Sequence, residues 1–429
     1  MPSSRESDMA SRTNNVFAHF ASSPITTIAT PTPILARMQQ PGPKKILACD
    51  GGGIRGLISV EILAKLETDL RNQLQKPDLV LGDFFDFVCG TSTGGIIASC
   101  LSTGMSMDQV RRFYVEQGTT MFQHAKWYKQ FYEKYDSAPL SKMLRQTFNQ
   151  QLNGSDLAVA DQEPPVELGD PRLRGLLMLV LRNHNTDSPW PICNNPLARF
   201  NQLDRKDCNL KLPLWQVVRA STAAPTFFPP EVVTLAPGTD QEYRFIFVDG
   251  GVTTYNNPAY LAFQMATAKP YDINWQTGID QLLVVSVGTG NAPSSRANLN
   301  TQDLTIIDYA KTIPGALMNA ATDGWDMVCR VVGECRFGRP IDSEFGAMIQ
   351  KPGTPAEQSN WTGTKQFAYV RYDPLTSRAG LDALGLADVS DEALARMDDV
   401  SQIPELQRVG RVFAAKNLSL EHLLGFLEG

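Results

Sequence analysis

The most chemically suggestive stretch is a serine between glycines, Gly90-Thr91-Ser92-Thr93-Gly94, which follows an apolar run at 84–89. This G-x-S-x-G spacing is typical of a nucleophile elbow, in which a sharp turn between a strand and a helix exposes the serine oxygen. The N–H groups at the start of the helix would favour a developing alkoxide. Glycine-rich turns also produce this pattern by chance, so Ser92 needs partners elsewhere in the chain.

A serine hydroxyl is a weak nucleophile and needs a base within hydrogen-bonding distance. In the usual hydrolase order of serine, acid and histidine, only His124, His184 and His422 follow Ser92. His124 lies in a helical stretch, and His184 has no acid placed before it. His422 belongs to the last predicted helix. The sequence therefore favours a carboxylate as the base.

Asp249 is the carboxylate that best fits this role. It ends the apolar run at 243–248 and is followed by Gly250 and Gly251. We expect it at the C-terminal edge of a parallel sheet, beside Ser92, because open α/β sheets collect their sites there. To take the serine proton, it must be ionised yet partly desolvated. Alone, it is equally compatible with a turn or helix-cap aspartate.

A glycine-rich loop, Asp50-Gly51-Gly52-Gly53-Ile54-Arg55-Gly56, separates an apolar run at 46–49 from an amphipathic helix pattern. Its glycines formally match the G-x-G-x-x-G dinucleotide fingerprint, which also expects an acid about 20 residues further on. Asp69 has that spacing but lies inside the helix pattern. A nucleotide-binding signalling module therefore stays open as an alternative function.

The same loop is also compatible with an oxyanion site. Consecutive glycines allow the amides of Gly51, Gly52 and Gly53 to point at one position, where the dipole of the following helix adds to the field. Arg55 would steady the loop or attract a phosphate headgroup.

The elements between these motifs predict an α/β fold. Short apolar runs alternate with helical patterns from residue 44 to about residue 290, which indicates a mainly parallel sheet with helices on its faces. We divide the chain into an irregular N-terminal arm at 1–43, a catalytic domain at 44–300, and a mainly helical C-terminal extension at 301–429 packed on it.

Three segments give more specific predictions. Residues 189–208, rich in Pro, Asn and Asp, predict a loop, and a strand pair is predicted near 345 and at 367–372. Aromatic residues recur on one face of a predicted helix at 125–135. That face either covers the core or meets lipid headgroups, and we favour the core.

Composition narrows the function classes. The 429 residues carry a net charge of −6, which lacks the basic footprint of a protein that binds a nucleic acid polymer. No apolar run approaches the ~18 residues of a transmembrane helix, and no secretory signal is visible. Seven scattered cysteines without a CxxC pair suggest a reducing, cytoplasmic location. The four histidines show no metal-ligand spacing, so we expect no metal or other cofactor.

In this order, the glycine loop, the elbow and Asp249-Gly250-Gly251 resemble the patatin-like phospholipase family. Asn256-Asn257-Pro258 and the stretch at 219–230 add to the resemblance, which covers about 44–290. It implies a three-layer α/β/α fold with a mainly parallel sheet, and a Ser–Asp dyad without histidine. The remaining motif positions are glycines: Gly56, Gly90, Gly94, Gly250 and Gly251.

The resemblance also implies roles and a reaction. Ser92 would be the nucleophile, Asp249 the proton acceptor, and the amides of Gly51–Gly53 with Arg55 the oxyanion site. The reaction would be calcium-independent hydrolysis of a fatty-acyl ester through an acyl-enzyme. The substrate would be a phospholipid membrane, reached peripherally from the cytoplasm.

The chain is also similar to bacterial patatin-like effectors of anti-phage defence, in which a cyclic oligonucleotide switches on membrane degradation. That similarity rests on the regions at 1–43 and 300–429 rather than on the motifs. The alternative for these regions is simple cover that completes the fold, which we favour. An oligomer is compatible with either interpretation.

Overall fold

A nine-stranded sheet runs through the residues that the computed structural model describes, which are 32–121, 135–291, 306–342, 344–349 and 363–427. Five strand pairs are parallel and three are antiparallel. The strands are β1 (Lys44–Cys49), β2 (Phe87–Thr91), β3 (Leu176–Asn183), β4 (Ser188–Cys193), β5 (Glu231–Leu235), β6 (Tyr243–Asp249), β7 (Leu282–Val287), β8 (Glu334–Phe337) and β9 (Ala368–Tyr372).

Helices pack around this sheet and bury its central strands, which contain uninterrupted apolar runs at 46–49 in β1, 87–89 in β2 and 282–285 in β7. The α-helices are α1 (Pro33–Gln39), α2 (Gly56–Leu74), α3 (Leu81–Phe84), α4 (Thr93–Ser102), α5 (Met107–Met121), α6 (Ser137–Asn153), α7 (Leu157–Ala160), α8 (Leu214–Ser221), α9 (Ala259–Thr267), α10 (Ile306–Val332), α11 (Arg378–Leu384), α12 (Asp391–Leu394) and α13 (Ile403–Asn417).

The arrangement around β3 brings the ends of two other strands, β2 and β6, together. β4 pairs with β3 along residues 178–183 and occupies one edge of it. The other edge is shared by β2, which pairs with residues 176–180, and β6, which pairs with residues 181–183. β2 and β6 therefore approach each other end to end, so that Thr91 and Asp249 face the consecutive residues Val180 and Leu181 of β3.

The predicted loop at 189–208 is wrong in its first part, because Ser188–Cys193 forms β4. The strand contains Pro189 and Pro191, which carry no N–H and contribute to the Pro, Asn and Asp composition that predicts a loop. β4 pairs only with β3 and lies at the edge of the sheet, where a missing donor leaves no ladder bond unmade.

The chain after residue 300 is partly helical and partly sheet. The long helix α10 agrees with the helical pattern, but β8 and β9 extend the same sheet, with β9 paired to β7. Besides β7, β9 pairs with β8 (Glu334–Phe337) rather than with a segment near 345. Among the described residues near 345, the structure has an isolated bridge between Asp342 and Gly346. Residues 33–429 form one compact unit, and the boundary at residue 300 stays a prediction.

Part of the predicted irregular arm is helical, since Pro33–Gln39 forms α1 with Ile34, Leu35 and Met38 buried. Residues 1–31 of the arm and residues 125–134 of the predicted aromatic helix lie outside the described residues. In the part of the chain that is described, no helix has the length and apolar character needed to cross a bilayer. All seven cysteines are buried and free.

Candidate active site

The predicted elbow is present at the end of β2. Ser92 connects β2 to α4 with φ 55° and ψ −122°, a strained conformation that non-glycine residues rarely adopt. Glycine is required on both sides of it: a methyl group at Gly90 would lie 2.0 Å from the carbonyl oxygen of Gly94, and one at Gly94 would lie 2.1 Å from that of Cys49. The turn therefore forces Ser92 outward, and its side chain is half-buried rather than buried.

A second serine holds the elbow in place. The backbone N–H of Ser92 donates to Ser221 Oγ at 3.0 Å, and Ser221 Oγ donates to the carbonyl oxygen of Val180 at 2.7 Å. Ser221 ends α8, so its hydroxyl links this helix to β3 and to the elbow. The sequence marked the stretch at 219–230 but gave no role to Ser221.

Asp249 lies directly beside Ser92. Ser92 Oγ donates to Asp249 Oδ2 at 2.6 Å, and the N–H of Gly251 donates to Asp249 Oδ1 at 2.6 Å. The two carboxylate oxygens thus have separate partners, which fixes the plane of the carboxylate. The prediction that Asp249 ends a parallel strand is wrong: β6 is antiparallel to β3 and reaches the elbow from the opposite direction.

Burial sets the basicity of this carboxylate. The Asp249 side chain is almost fully buried, and this desolvation raises its pKa to about 6. The hydrogen bonds from Ser92 and Gly251 and the positive charge of the buried Arg219 lower the pKa and limit the rise. Asp249 is therefore ionised at neutral pH yet more basic than an ordinary aspartate, as proton transfer from a serine requires.

This raised pKa predicts an acid limb in the pH profile. If Asp249 must be ionised to accept the Ser92 proton, kcat/KM should be constant above about pH 7 and fall about tenfold per pH unit below pH 6. Initial rates on a soluble short-chain ester between pH 4.5 and 9 measure this limb. A profile that stays flat down to pH 4.5 would contradict the assignment of Asp249 as the base.

The glycine loop closes the other side of Ser92. A methyl group at Gly51 would lie 3.3 Å from Ser92 Cβ and 2.4 Å from Asn256 Oδ1. The prediction that Gly51 supplies an oxyanion donor needs correction, because its N–H donates to the carbonyl oxygen of Asn256 at 3.2 Å. Within the described residues, the amides of Gly52 and Gly53 have no acceptor and remain available.

Arg55 acts on the loop itself in this arrangement. Its Nε donates to the carbonyl oxygen of Gly52 at 3.4 Å, across one turn of 3-10 helix formed by Gly53–Arg55. Three roles are predicted for Arg55: steadying the loop, attracting a phosphate headgroup and forming part of the oxyanion site. This contact favours the first, and the other two stay predictions. The amide of Thr93, the first residue of α4, likewise has no acceptor in the described part of the chain. An amide directly after the nucleophile is a usual oxyanion donor, although the predicted oxyanion site does not include Thr93.

The dinucleotide fingerprint gains no support from the structure. Asp69 lies on α2 and pairs with Lys65 at 2.6 Å, rather than at the end of a second strand. A methyl group at Gly56 would lie 2.5 Å from Thr93 Oγ1, so the third glycine of the fingerprint packs against the elbow. Gly56 therefore allows the glycine loop to pack closely against the elbow.

The histidines do not approach Ser92 in the described part of the chain. The backbone N–H of His184, in the β3–β4 hairpin, donates to Ile246, and the ring Nδ1 of His422 shares a hydrogen bond with Tyr372 at 2.8 Å. His19 and His124 lie outside the described residues. No group of three or more His, Cys, Asp or Glu side chains among the described residues is arranged to hold a metal ion.

Fold and site together define a class: an α/β protein with a nucleophile elbow at the end of a mostly parallel sheet. The model of one family within this class, described as Patatin-like phospholipase, matches residues 47–263, which is half of the chain. The chain belongs to the patatin-like phospholipase family and has the patatin-like fold, a mixed, mostly parallel sheet with helices around it.

Among similar proteins, Patatin-T5 of Solanum tuberosum is 30% identical over 264 residues, which cover 57% of this chain and 60% of the relative. Patatin-17 of Solanum cardiophyllum is 29% identical over 264 residues, with the same coverage. The matched region thus spans about three fifths of these relatives. Two solved structures are more distant: VipD from Legionella pneumophila (TM-score 0.31, 13% identity, 86% of this chain and 67% of that one) and the type III effector protein ExoU (TM-score 0.25, 12% identity, 66% and 53%).

Proposed function

We propose that this protein is a lipid acyl hydrolase of the phospholipase A type, which cleaves fatty-acyl esters of membrane phospholipids with a Ser92–Asp249 dyad. The observation that carries the proposal is the 2.6 Å hydrogen bond from Ser92 Oγ to the buried Asp249 carboxylate. Membership of the patatin-like phospholipase family supports it, as do the acceptor-free amides of the glycine loop and of Thr93, the residue after Ser92.

In the proposed reaction, Ser92 Oγ attacks the acyl carbonyl carbon while its proton passes to Asp249 Oδ2. The tetrahedral intermediate collapses, the ester bond to the alcohol breaks, and protonated Asp249 returns the proton to the leaving alkoxide. A water molecule then gives a proton to Asp249 and attacks the acyl-enzyme. When this second intermediate collapses, the free fatty acid leaves and Asp249 returns the proton to Ser92 Oγ.

The negative oxygen of each intermediate needs hydrogen-bond donors. We assign this role to the amides of Gly52 and Gly53 in the glycine loop and of Thr93 at the start of α4. Loss of one such donor typically lowers kcat by about 10²–10³. The positive end of the α4 dipole adds to the same field.

Product analysis on mixed liposomes tests this function. The purified full chain is incubated with vesicles that contain phosphatidylethanolamine, phosphatidylglycerol, a galactolipid and a triacylglycerol, and released fatty acids and lysolipids are identified by mass spectrometry. We expect free fatty acid and lysophospholipid with and without a calcium chelator, and neither product with Ser92→Ala. Equal release by the wild type and Ser92→Ala would overturn the proposal.

The cyclic-oligonucleotide activator suggested by the sequence is tested in the same assay. A panel of cyclic di- and trinucleotides is added to the wild-type reaction at fixed lipid. An increase in rate with one member supports a switched effector, and equal rates in all samples remove this hypothesis.

A further inference from the structure

The first residue of the glycine loop is held by a side chain that lies outside residues 47–263, the part of the chain that matches the family model. Arg371, on β9, donates from Nη1 to Asp50 Oδ1 at 2.9 Å and from Nη2 to Asp50 Oδ2 at 2.6 Å. Both side chains are almost completely buried, and 321 residues separate them in sequence. Asp50 opens the loop, so this bidentate pair fixes where the loop leaves β1.

The same guanidinium fixes a second turn beside the loop. Arg371 Nη2 donates to Asp373 Oδ2 at 3.0 Å, and Asp373 Oδ1 accepts the N–H of Gly290 at 3.1 Å. In that turn, Thr289 Oγ1 donates to the carbonyl oxygen of Gly51 at 3.1 Å. Arg371 therefore supports the loop directly through Asp50 and indirectly through the turn at 288–291.

The far end of the loop also rests on the C-terminal part of the chain. The N–H of Ile54 donates to the carbonyl oxygen of Met397 at 2.8 Å. A methyl group at Gly53 would lie 2.2 Å from that oxygen. The segment that carries the acceptor-free amides of Gly52 and Gly53 is thus clamped between β9 on one side and residue 397 on the other.

A buried ion pair is a poor choice for stability alone, because desolvation of two charges offsets much of their attraction. Its advantage is geometric, since a planar guanidinium donates its hydrogen bonds in fixed directions and so restricts where the two carboxylates can lie. Here the guanidinium fixes the backbone of the proposed oxyanion loop. A displacement of such catalytic groups by about 1 Å can lower the rate about 100-fold.

We propose that Arg371 is a positioning residue for the oxyanion loop: it holds Asp50 and, through Asp373, the turn at 288–291, and thereby keeps the amides of Gly52 and Gly53 in register with Ser92. The inference rests on the proposed acyl-transfer function for its kinetic consequence. Arg371 itself touches no reacting atom. Through Arg371, a segment beyond residue 263, where the match to the family model ends, contributes to the active site.

The test compares Arg371→Lys with a matched control, Arg330→Lys. Arg330 forms an equally buried pair with Asp326, at 2.9 and 2.7 Å, and within the described part of the chain no hydrogen bond or ion pair joins it to the loop. Lysine keeps the charge in both variants and loses the fork. We expect kcat on a soluble ester to fall about 10-fold to 100-fold in Arg371→Lys with KM little changed, and kcat of Arg330→Lys to stay within about 3-fold of the wild type.

Hydrogen exchange of the peptide that covers 47–58 gives a readout that does not depend on activity. The bonded amides of Gly51 and Ile54 should exchange faster in Arg371→Lys than in the wild type or in Arg330→Lys. If Arg371→Lys does not fold, Asp50→Asn, which keeps the side-chain shape, is measured in the same two ways with the same expectation. An unchanged kcat with unchanged loop exchange, or equal losses in Arg371→Lys and Arg330→Lys, would overturn the inference.

The two proposals fail in distinguishable ways. A wild type without ester hydrolysis, or with activity that survives Ser92→Ala, sinks the proposed function, and loop exchange in Arg371→Lys still decides whether Arg371 positions the loop. A wild type that depends on Ser92 while Arg371→Lys keeps both full kcat and normal exchange sinks only the role of Arg371.

Discussion

Asp249→Asn should almost abolish ester hydrolysis and at the same time make the fold more stable at pH 8. The amide cannot accept the Ser92 proton, so we expect kcat/KM to fall about 10³-fold or more. The neutral side chain keeps both hydrogen bonds, since Oδ1 still accepts the N–H of Gly251 and Nδ2 donates to Ser92 Oγ.

The gain in stability follows from the raised pKa of Asp249. Burial raises this pKa to about 6 in the folded protein, above the ordinary aspartate value of 3.8. The folded state therefore favours the protonated form. The destabilisation by the ionised carboxylate is complete above about pH 6 and absent at pH values far below 4. Asp249→Asn removes that penalty, up to about 3 kcal/mol at pH 8, and the gain should shrink towards pH 4.

Chemical denaturation at pH 8 and at pH 4.5 measures both halves of this prediction. The matched control is Asp326→Asn: burial raises the pKa of Asp326, but the hydrogen bond and charge of Arg330, the charge of Arg371 and the hydrogen bond from Tyr369 together outweigh burial and lower it. Asp326→Asn should therefore destabilise the fold at pH 8. A loss of stability in Asp249→Asn at pH 8, similar to that of the control, would contradict the desolvated state assigned to Asp249.

Gly53→Ala should lower kcat about 10²-fold to 10³-fold and destabilise the fold by about 2 kcal/mol or more. Gly53 has φ +62°, and a methyl group there would lie 2.2 Å from the carbonyl oxygen of Met397. Because that oxygen belongs to backbone, the loop must move, and the amides of Gly52 and Gly53 move with it. The kinetic effect should appear in kcat rather than in KM.

Gly154→Ala separates loop displacement from backbone strain. Gly154 has φ +70° at the end of α6, and no atom lies within 4 Å of an added methyl group. Its alanine variant should lose about 1 kcal/mol and keep full activity. If Gly53→Ala keeps activity within about 3-fold of Gly154→Ala, the assignment of the loop amides as oxyanion donors is wrong.

The elbow and the parallel part of the sheet were readable from the sequence because their signals are local. A strand, a glycine-flanked Ser92 and an apolar helix are consecutive in the chain, and the structure has them in that form. Asp249 was found for the same reason, as a carboxylate at the end of an apolar run. The direction of β6 was wrong, because an apolar run has the same pattern in parallel and antiparallel strands.

What the sequence missed depends on contacts between distant segments. Ser221 supports Ser92 across 129 residues, and Arg371 reaches Asp50 across 321. Neither residue differs from an ordinary serine or arginine in its local pattern. The assignment of Gly51 as a donor failed because its acceptor, the carbonyl of Asn256, comes from another turn of the chain.

Trapping the acyl group tests the central claim most directly. The full chain is mixed with a slowly deacylated ester and quenched in acid within the first turnover, and the digested protein is mapped by mass spectrometry. The Ser92–Asp249 dyad predicts an ester-linked acyl group on Ser92 alone, and none in Asp249→Asn over the same interval. Turnover of the ester without acylated Ser92, or with the acyl group on another residue, would contradict it.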